Sequence, residues 1–398
     1  MHPIIAPITI LADDLTGAAD TGVQFALAGM TTVIAFGPPS EDASVVVIDT
    51  DSRSVSPRAA GLRVSRAIAA SRGQVYKKID STLRGNVGAE VAAALRALGR
   101  PLAIVCPTFA ATGRVTRGGV LHVDGVPVHL TPLARDPVHP INSPTIAAAI
   151  ARQTTLPIAN VSLADVRGGT DRLVRRLRGL IGISVVDAET DDDLAIVAAA
   201  IDALGDRALP VGSAGLAAAL VALWRPSGGM NSRTADPRRP ARTIIVARGS
   251  QNPVSRSQTA ALAAQLGSGE IDGLVRGAVD VAVAALANGK PAIIVTPEDT
   301  RRSASAIARR LASVIGHVTR RAPVDGFILT GGDTARAVLI HLGARGLRLE
   351  SEVAPGVPVG EVIGGALAGR TAITKAGGFG APTALVDAWS YLARGGKA

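Results

Sequence analysis

Three short stretches of this chain bring carboxylates, cations and hydroxyls together at the ends of apolar runs. The first is Asp13 and Asp14, after the apolar residues 4–11. The second is Asp49, Thr50, Asp51, Ser52 and Arg53, after residues 44–48. The third is Asp80, Ser81, Thr82, Leu83, Arg84 and Gly85, after residues 74–79, with Lys77 and Lys78 adding positive charge just upstream. A single aspartate at such a junction is explained by helix capping, and Asp14 alone is open to that reading. Repeated pairing of Asp with Arg or Lys and with hydroxyls is less readily explained by independent caps. Ligands of an open parallel sheet bind outside the carboxyl ends of its strands, so the three stretches are expected to share one site for an anionic or polyhydroxyl ligand. Asp13 ends a strand and Asp14 lies nearer a helix, so the two carboxylates are expected to point in different directions, with one of them meeting the ligand.

A second set of turns carries glycine instead of charge. It comprises Arg248, Gly249, Ser250, Gln251 and Asn252; Gly331, Gly332, Asp333 and Thr334; and Lys375, Ala376, Gly377, Gly378, Phe379 and Gly380. Small residues beside a helix N-terminus can hold a phosphate through backbone N–H groups. Each turn alone is weak evidence, since glycine also serves ordinary tight turns. Together they point to a nucleotide or other phosphate ligand.

The elements that must position these residues read as alternating strands and helices, the pattern of a parallel α/β sheet. Leu15, Ala19, Val23, Ala26 and Met30 recur at helical spacing, with Asp14 or Thr16 as N-cap and Gly29 as a stop. Strands are expected at 32–36, 44–48, 74–79, 102–106, 183–188 and 208–215, and helices from Pro57 with Ser56 as cap, at 87–98 and at 191–204. Asp191, Asp192 and Asp193 complement a helix macrodipole and read as structural. Residues 107–119 hold too many Gly and Arg for a regular element, whereas Asp124 and Gly125 between 120–123 and 126–130 signal a hairpin with a type I′ turn. Residues 133–145, with three prolines, form a long irregular segment. The second half repeats the pattern, with strands at 243–247, 291–296, 326–330 and 370–374 and helices at 253–266 and 303–314.

Composition narrows the class. At 398 residues the chain exceeds the size at which one core keeps growing, and 47% hydrophobic with 19% charged residues is globular. Residues 1–228 are read as a domain carrying the charged cluster, 229–242 as linker and 243–398 as a domain carrying the phosphate-type loops, each a mainly parallel sheet flanked by helices, with the active site in the cleft between them. The net charge of +10 is densest in 225–242, a Pro, Gly and Ser-rich segment of linker composition, and aromatics are 2% of the chain. Nucleic acid is therefore not an expected partner. Neither a membrane-spanning run nor a secretory signal is evident. The single cysteine, Cys106, sits in an apolar run and reads as a core residue, which suits a cytoplasmic location. His122, His129 and His139 share no metal-ligand spacing. The P-loop, the dinucleotide fingerprint, the protein-kinase set and HExxH are absent. What is left is phosphoryl transfer between an acid, Arg and Lys cluster in one half and phosphate-type loops in the other.

Seven motifs carry a resemblance to a known family. They are ADDLTGAADTGVQFA (12–26), KKIDSTLRGNVGAE (77–90), CPTFAATGR (106–114), VVDAETDDDL (185–194), LTGGDTA (329–335), EVAPGVPVG (352–360) and TKAGGFG (374–380). In this order they resemble the four-carbon acid sugar kinase family, long catalogued as a domain of unknown function, over essentially the whole chain. The resemblance implies phosphorylation of the 4-hydroxyl of a tetronate such as threonate, erythronate or a 3-oxo-tetronate, with ATP as donor. It places Asp13, Asp14, Arg53 and the 78–84 segment (Lys78, Asp80, Ser81, Thr82, Arg84) at the substrate, and Ser250 or Ser255, Gly331, Gly332, Asp333, Gly356, Gly377 and Gly378 at ATP. Asn252 stands where members often carry Ser, which leaves the hydroxyl contact open between Ser250 and Ser255. The ARDPVHP segment and the GGFG turn resemble the threonate and erythronate branch more than the 3-oxo-tetronate branch.

The chemistry asks for the same parts. A tetronate carboxylate suits a bidentate arginine, Arg53 or Arg84, and its hydroxyls suit Asp80, Ser81 and Thr82. In-line transfer needs a positioned hydroxyl and neutralised charge, which assigns Asp14 to orient or deprotonate the hydroxyl, Lys78 to the transferring phosphoryl group and Asp333 to Mg²⁺. A 3-oxo-tetronate kinase and a non-catalytic sugar-acid-binding protein are the alternatives; a dehydrogenase lacks its fingerprint. A homodimer is compatible with the sequence.

Overall fold

The structure is a computed structural model and describes residues 7–37, 43–135, 140–224, 239–298, 300 and 302–396. His139, residues 4–6 and most of the expected linker lie outside the described residues. Contacts divide the chain into two compact units, Met1–Met30 with Ala43–Met230 and Thr31–Asp42 with Asn231–Ala398. Each unit is an α/β layer structure with a mainly parallel sheet.

In the first unit the strand Ile8–Ala12 pairs in parallel with Val45–Asp49 on one side and Gln74–Lys78 on the other. The three stretches that carry carboxylates are therefore neighbours, all ending at the same edge. Beyond Gln74–Lys78 follow Ala208–Gly212, Leu102–Cys106, Gly182–Val186 and Ile158–Val161, every pair parallel. Ile8–Ala12, Leu102–Cys106, Gly182–Val186 and Ala208–Gly212 are buried along their whole length. That burial explains their unbroken apolar runs, since a parallel sheet covered on both faces has no solvent side for polar residues. With few aromatics, the core is built from Leu11, Val75, Ile79, Val91, Val105, Val211 and their neighbours, each buried side chain contributing about 1.5–3 kcal/mol. Cys106 belongs to this core, and burial pushes its thiol up to about 12, far from a reactive thiolate.

The helix Leu15–Leu27 begins at Asp14, whose side chain accepts from the Gly17 N–H, and ends before Gly29 (φ 85°). Ser56 caps Pro57–Ala69, and Thr190 with Asp193 forms a capping box on Asp191–Leu204.

Three expectations are corrected. Residues 107–119 are not wholly irregular: Arg114–Arg117 is a strand, paired with Val120–Val123. Gly113, Gly118 and Gly119, all at positive φ, bound it and give the segment its irregular look. The hairpin at Asp124 (φ 51°) and Gly125 (φ 80°) is present, but its second strand is only Val126–Pro127, and Val128–Leu130 turns into a 3₁₀ helix. The strand Thr32–Ala35, read as part of the first domain, instead pairs antiparallel with Gly346–Glu352 and belongs to the second unit. All four of its residues are buried, so it needs a partner, but nothing local says which.

The second unit orders Glu270–Asp272, Ala292–Val295, Ile244–Arg248, Gly326–Thr330 and Thr371–Lys375 in parallel. Pro358–Ile363, Gly346–Glu352 and Thr32–Ala35 extend it antiparallel. Ile244, Val246, Ile293, Ile328, Ile373 and Leu385 form its core.

Candidate functional site

At the carboxyl edge of the first unit's sheet, Arg53 is the hub. Its Nε donates to Asp13 Oδ2 (2.7 Å) and Nη2 to Asp13 Oδ1 (2.9 Å), while Nη1 reaches Asp14 Oδ2 (2.7 Å) and Nη2 also reaches Asp14 Oδ1 (2.8 Å). Asp13 and Asp14 thus converge on one guanidinium and do not point apart: the chain bends at these two residues, and the fork of Arg53 donors spans both carboxylates. A third aspartate, Asp80, lies 3.6 Å from Arg53 Nη2. The backbone holds this arrangement: the Ser52 and Arg53 N–H groups both donate to the Asp13 carbonyl, and Asn86 Nδ2 donates to the carbonyls of Ser52 and Val55. Gly85 (φ 89°) has no side chain because a Cβ there would sit 3.0 Å from Arg53 Cγ.

Asp80 is also the anchor of its own turn. Its Oδ2 accepts from the Thr82 hydroxyl, the Arg84 N–H and Arg84 Nε, and its Oδ1 from Arg84 Nη2 at 2.9 Å. Leu83 sits between at φ 66°, a conformation that costs a bulky residue about 1–3 kcal/mol. Asp51 in the neighbouring turn is at φ 49°. Strained residues at adjacent strand ends mark this edge as built for something other than stability. Burial pushes the Asp13 and Asp80 carboxyls up, but Arg53 beside the first, and Arg84 with Arg53 beside the second, outweigh it and hold both below the usual range.

Lys77 and Lys78 part company, as neighbours on a strand must. Lys77 is fully buried, paired with Glu90 Oε2 at 2.7 Å, and donates to the Lys78 carbonyl, so it supports the strand end and does not face the cluster. Lys78 Nζ donates to the Ile79 carbonyl at 2.8 Å. A Cβ on Gly17 would lie 2.8 Å from Asp14 Oδ1, 3.1 Å from Lys78 Nζ and 3.7 Å from Asp13 Oδ1. The first turn of the helix is thus the place where ammonium and carboxylates meet. Ser81 and Thr82 are buried there as well.

One member of this cluster was not singled out from the sequence. Asp20 lies one helical turn beyond Gly17, and its charge is felt by Lys78, Asp14, Arg114 and Asp80. The available signal was an aspartate in a largely buried helix, beyond the first turn, where neither capping nor the macrodipole explains it.

The second unit's site is made of backbone. Ser250 Oγ accepts the Asn252 N–H at 3.2 Å, and a Cβ on Gly377 would come within 2.1 Å of that Oγ. Gly331 (φ 98°) lies against Ser250 from the other side, and its N–H donates to the Lys375 carbonyl. Ser250, Gly331, Gly332 and Gly377 are therefore brought together, with Gly378 against Asn252. Ser255 lies beneath them, fully buried, its hydroxyl donating to the Asn252 carbonyl at 2.9 Å and reaching the Ser250 carbonyl at 3.5 Å. Asp333 is exposed in the first turn of the helix Gly332–His341. Gly356 (φ 79°) occupies the turn between Gly346–Glu352 and Pro358–Ile363, and no backbone hydrogen bond ties it to the other turns.

Two side chains shape the glycine loop from beneath. Lys375 Nζ donates to the carbonyls of Ala376 (2.8 Å), Phe379 (3.0 Å) and Gly377 (3.4 Å). Gln258 Nε2 donates to those of Phe379, Gly380 and Ala381. Drawing the carbonyls inward leaves the Gly377, Gly378 and Gly380 amides without a partner among the described residues, the arrangement of an anion-binding nest. Burial pushes the Lys375 ammonium down to about 7. A cavity of about 460 Å³ lies beside the start of the helix Pro253–Gln265, lined by Arg248, Pro253, Arg256, Glu270 and Pro297.

Among the described residues no helix is long and apolar enough to cross a membrane, and no group of three or more His, Cys, Asp or Glu could hold a metal.

Two family models match the chain in tandem, a sugar-binding N-terminal domain over residues 8–220 and a nucleotide-binding C-terminal domain over residues 245–385. The chain belongs to this family. D-threonate kinases of Salmonella typhimurium and Bordetella bronchiseptica are 37% and 38% identical to it, each match covering 96% of this chain and 97% and 96% of the relative. A D-erythronate kinase of Heliobacterium modesticaldum is 31% identical, with 97% of both chains covered. A crystal structure from S. typhimurium LT2 superposes with a TM-score of 0.78 at 21% identity, covering 96% of this chain and 98% of the other, and shares the fold. A B. bronchiseptica family member, 35% identical with 98% of each chain covered and a TM-score of 0.50, was crystallised with bound citrate as a domain-swapped dimer.

Proposed function

We propose that the protein is an ATP-dependent kinase of four-carbon sugar acids that phosphorylates the 4-hydroxyl, with D-threonate as its first substrate. The observation that carries this reading is the convergence of Asp13, Asp14 and Asp80 on the Arg53 guanidinium, inside the part of the chain that matches a sugar-binding domain. Relatives named D-threonate kinase at 37% and 38% identity, against 31% for the D-erythronate kinase, favour threonate.

The parts divide as follows. Arg53 gives four of its five N–H groups to the protein's own carboxylates, so the substrate carboxylate falls to Arg84, which spends Nε and Nη2 on Asp80 and keeps Nη1. The citrate bound to the B. bronchiseptica relative is in keeping with such a receptor. The Asp80, Ser81 and Thr82 turn meets the sugar hydroxyls, Asp13 and Asp14 orient the reacting end through Arg53, and Lys78 neutralises charge on the transferring phosphoryl group. On the other unit the Gly377, Gly378 and Gly380 amides, the Gly331 and Gly332 turn and Ser250 hold the phosphates, and the 460 Å³ cavity has room for a nucleoside.

Magnesium fits this donor set. It binds through one or two carboxylates plus phosphate oxygens and water, not through an all-protein cage, and the exposed Asp333 beside the phosphate turn is the carboxylate that would hold it. Bound there, the ion would supply charge neutralisation on the nucleotide. We also propose a homodimer, on the strength of the dimeric relative, and a cytoplasmic location, in keeping with one buried cysteine.

The test is a coupled ADP-release assay over D-threonate, L-threonate, D-erythronate and 3-oxo-tetronates. D-threonate is expected to give the highest kcat/KM. Thermal stabilisation by these acids without ADP release from any of them would overturn the kinase reading in favour of a sugar-acid-binding protein.

A further inference from the structure

Phosphoryl transfer to an alcohol needs an acceptor for the hydroxyl proton, and three of the four carboxylates in the sugar-side cluster are poorly suited to it. Asp13 gives both oxygens to Arg53. Asp14 accepts from Arg53 on both oxygens, from the Gly17 N–H on Oδ1 and from the Thr16 hydroxyl on Oδ2 at 2.6 Å. Asp80 is filled by Arg84, Thr82 and the Arg84 amide. Taking up a proton at any of these breaks charge-assisted hydrogen bonds, so their oxygens are already committed and poorly placed to accept the hydroxyl proton.

Asp20 is different. Its Oδ1 is buried and has no hydrogen-bond partner, a state that calls for an explanation in a native fold. It sits three residues after Gly17 on the helix Leu15–Leu27, hence on the same face, and Gly17 is the position where Lys78 Nζ and Asp14 Oδ1 come closest to the helix backbone. The charged groups around it are Lys78, Asp14, Arg114 and Asp80, from two strand ends and the 114–117 strand, with the buried Tyr76 phenol on the same strand as Lys78. Among the described residues no arginine donates to its Oδ1. Burial raises its carboxyl to about 6 against the opposing pull of Lys78, with Asp14 adding to the rise. That is near the working pH, where a general base is most effective.

We propose that Asp20 is the general base of the transfer and that Asp14 is not. As the sugar-acid hydroxyl oxygen bonds to the γ-phosphorus and the bridging P–O bond to ADP breaks, the hydroxyl proton passes to Asp20 Oδ1. It returns to solvent after the products leave. Lys78 faces the same space and supports the ionised form of Asp20 before the reaction. This assignment rests on the kinase reading above.

The experiment uses the full chain, with D-threonate as the variable substrate at saturating Mg-ATP. Wild-type kcat/KM is expected to fall on the acid side with a midpoint near 6. Asp20→Asn is expected to lose about 10²–10⁴-fold in kcat, to lose that acid limb, and to bind D-threonate within about threefold of wild type by calorimetry, a twofold-to-threefold change being under 0.7 kcal/mol. Asp14→Asn, which keeps a capping side chain, is expected to retain the acid limb. A wild-type profile flat between pH 5 and 7 overturns the assignment without any variant. So does Asp20→Asn with kcat within fivefold of wild type, or an acid limb that disappears in Asp14→Asn instead. A wild type that releases ADP with none of the four-carbon acids defeats the kinase reading itself, and the assignment with it, and is distinguished by being seen before any substitution is made.

Discussion

On the function proposed above, the sugar-side and nucleotide-side clusters solve the same problem, holding an anion, with opposite materials. The first uses ionised side chains that neutralise one another: Arg53 faces Asp13, Asp14 and Asp80, and Arg84 faces Asp80 again. The second uses backbone amides, with a glycine at 377 where a Cβ would collide with Ser250 Oγ, and with Lys375 as a buried cation whose partners are carbonyls instead of carboxylates. The contrast suits the ligands. A chiral polyhydroxy acid must be read hydroxyl by hydroxyl, which needs directional side chains. A triphosphate presents the same oxygens in any nucleotide, which a ring of N–H groups can cradle.

If the sugar side depends on mutual neutralisation, removing its hub has the largest effect. Arg53→Ala leaves Asp13 and Asp14 buried and uncompensated, and breaking a buried ion pair on one side costs about 3–5 kcal/mol. We expect a melting temperature lower by several degrees, activity below detection in the ADP assay, and no rescue by Arg53→Lys, because an ammonium cannot reproduce four hydrogen bonds to two carboxylates. The loss should ease as pH falls. Asp13 and Asp80 are held below 3.8 by arginine, so the stability they contribute is present above that value and is lost as pH drops through their folded values. Asp20 runs the other way. Its folded value of about 6 exceeds the unfolded 3.8, so its ionisation costs stability once pH rises past about 4, up to about 3 kcal/mol at 1.36 kcal/mol for each of roughly two units.

The same contrast explains what the sequence discloses. Side-chain chemistry is written in residue types, so Asp13, Asp14, Arg53, Lys78, Asp80 and Arg84 could be named as a group from their places at strand ends. The helices Val87–Leu98 and Asp191–Leu204 and the Asp124 and Gly125 turn were legible because caps, periodicity and turn chemistry are local. Four things were not. The pairing of Thr32–Ala35 with Gly346–Glu352 joins residues more than three hundred apart, and register of that kind is a tertiary fact. The strand Arg114–Arg117 was hidden by its flanking glycines. Asp20 escaped because capping logic looks only at the first turn of a helix, and Lys375 because its partners are carbonyls, which every residue has.

Lys375 allows the second test of the contrast, with a smaller effect confined to the nucleotide. Lys375→Met removes three hydrogen bonds to the glycine loop and a buried charge behind it. We expect KM for ATP to rise about tenfold or more, equivalent to 1.4 kcal/mol, with D-threonate binding unchanged by calorimetry. Burial pushes the ammonium down to about 7 from 10.5, while three carbonyls favour the charged form, because an ammonium has three N–H donors and a neutral amine two. Between about 7 and 10.5 the unfolded chain binds the extra proton, so this lysine makes stability rise with pH in that window. ATP affinity should move the opposite way, KM rising as pH passes upward through about 7 in the wild type and staying flat in Lys375→Met. A change in D-threonate binding equal to that in ATP would mean that the loop is a general structural element.

The smallest effect separates two serines five residues apart. Ser250 Oγ lies between the glycine turns and accepts one N–H, from Asn252, which leaves its own hydrogen for a ligand. Ser255 is fully buried and spends its hydroxyl hydrogen on the Asn252 carbonyl, one turn back along its helix. Ser250→Ala should therefore raise KM for ATP about threefold to tenfold, the range of a single hydrogen bond at about 0.5–1.5 kcal/mol. Ser255→Ala should leave KM for ATP within twofold. Its effect is on stability alone and is slight, because a helix-interior hydroxyl bonded to its own preceding turn contributes little and alanine is the better helix former by about 0.5 kcal/mol. Equal effects of the two substitutions on KM would show that the Asn252 turn is positioned by Ser255 from below, and that a side chain governs the backbone site as well.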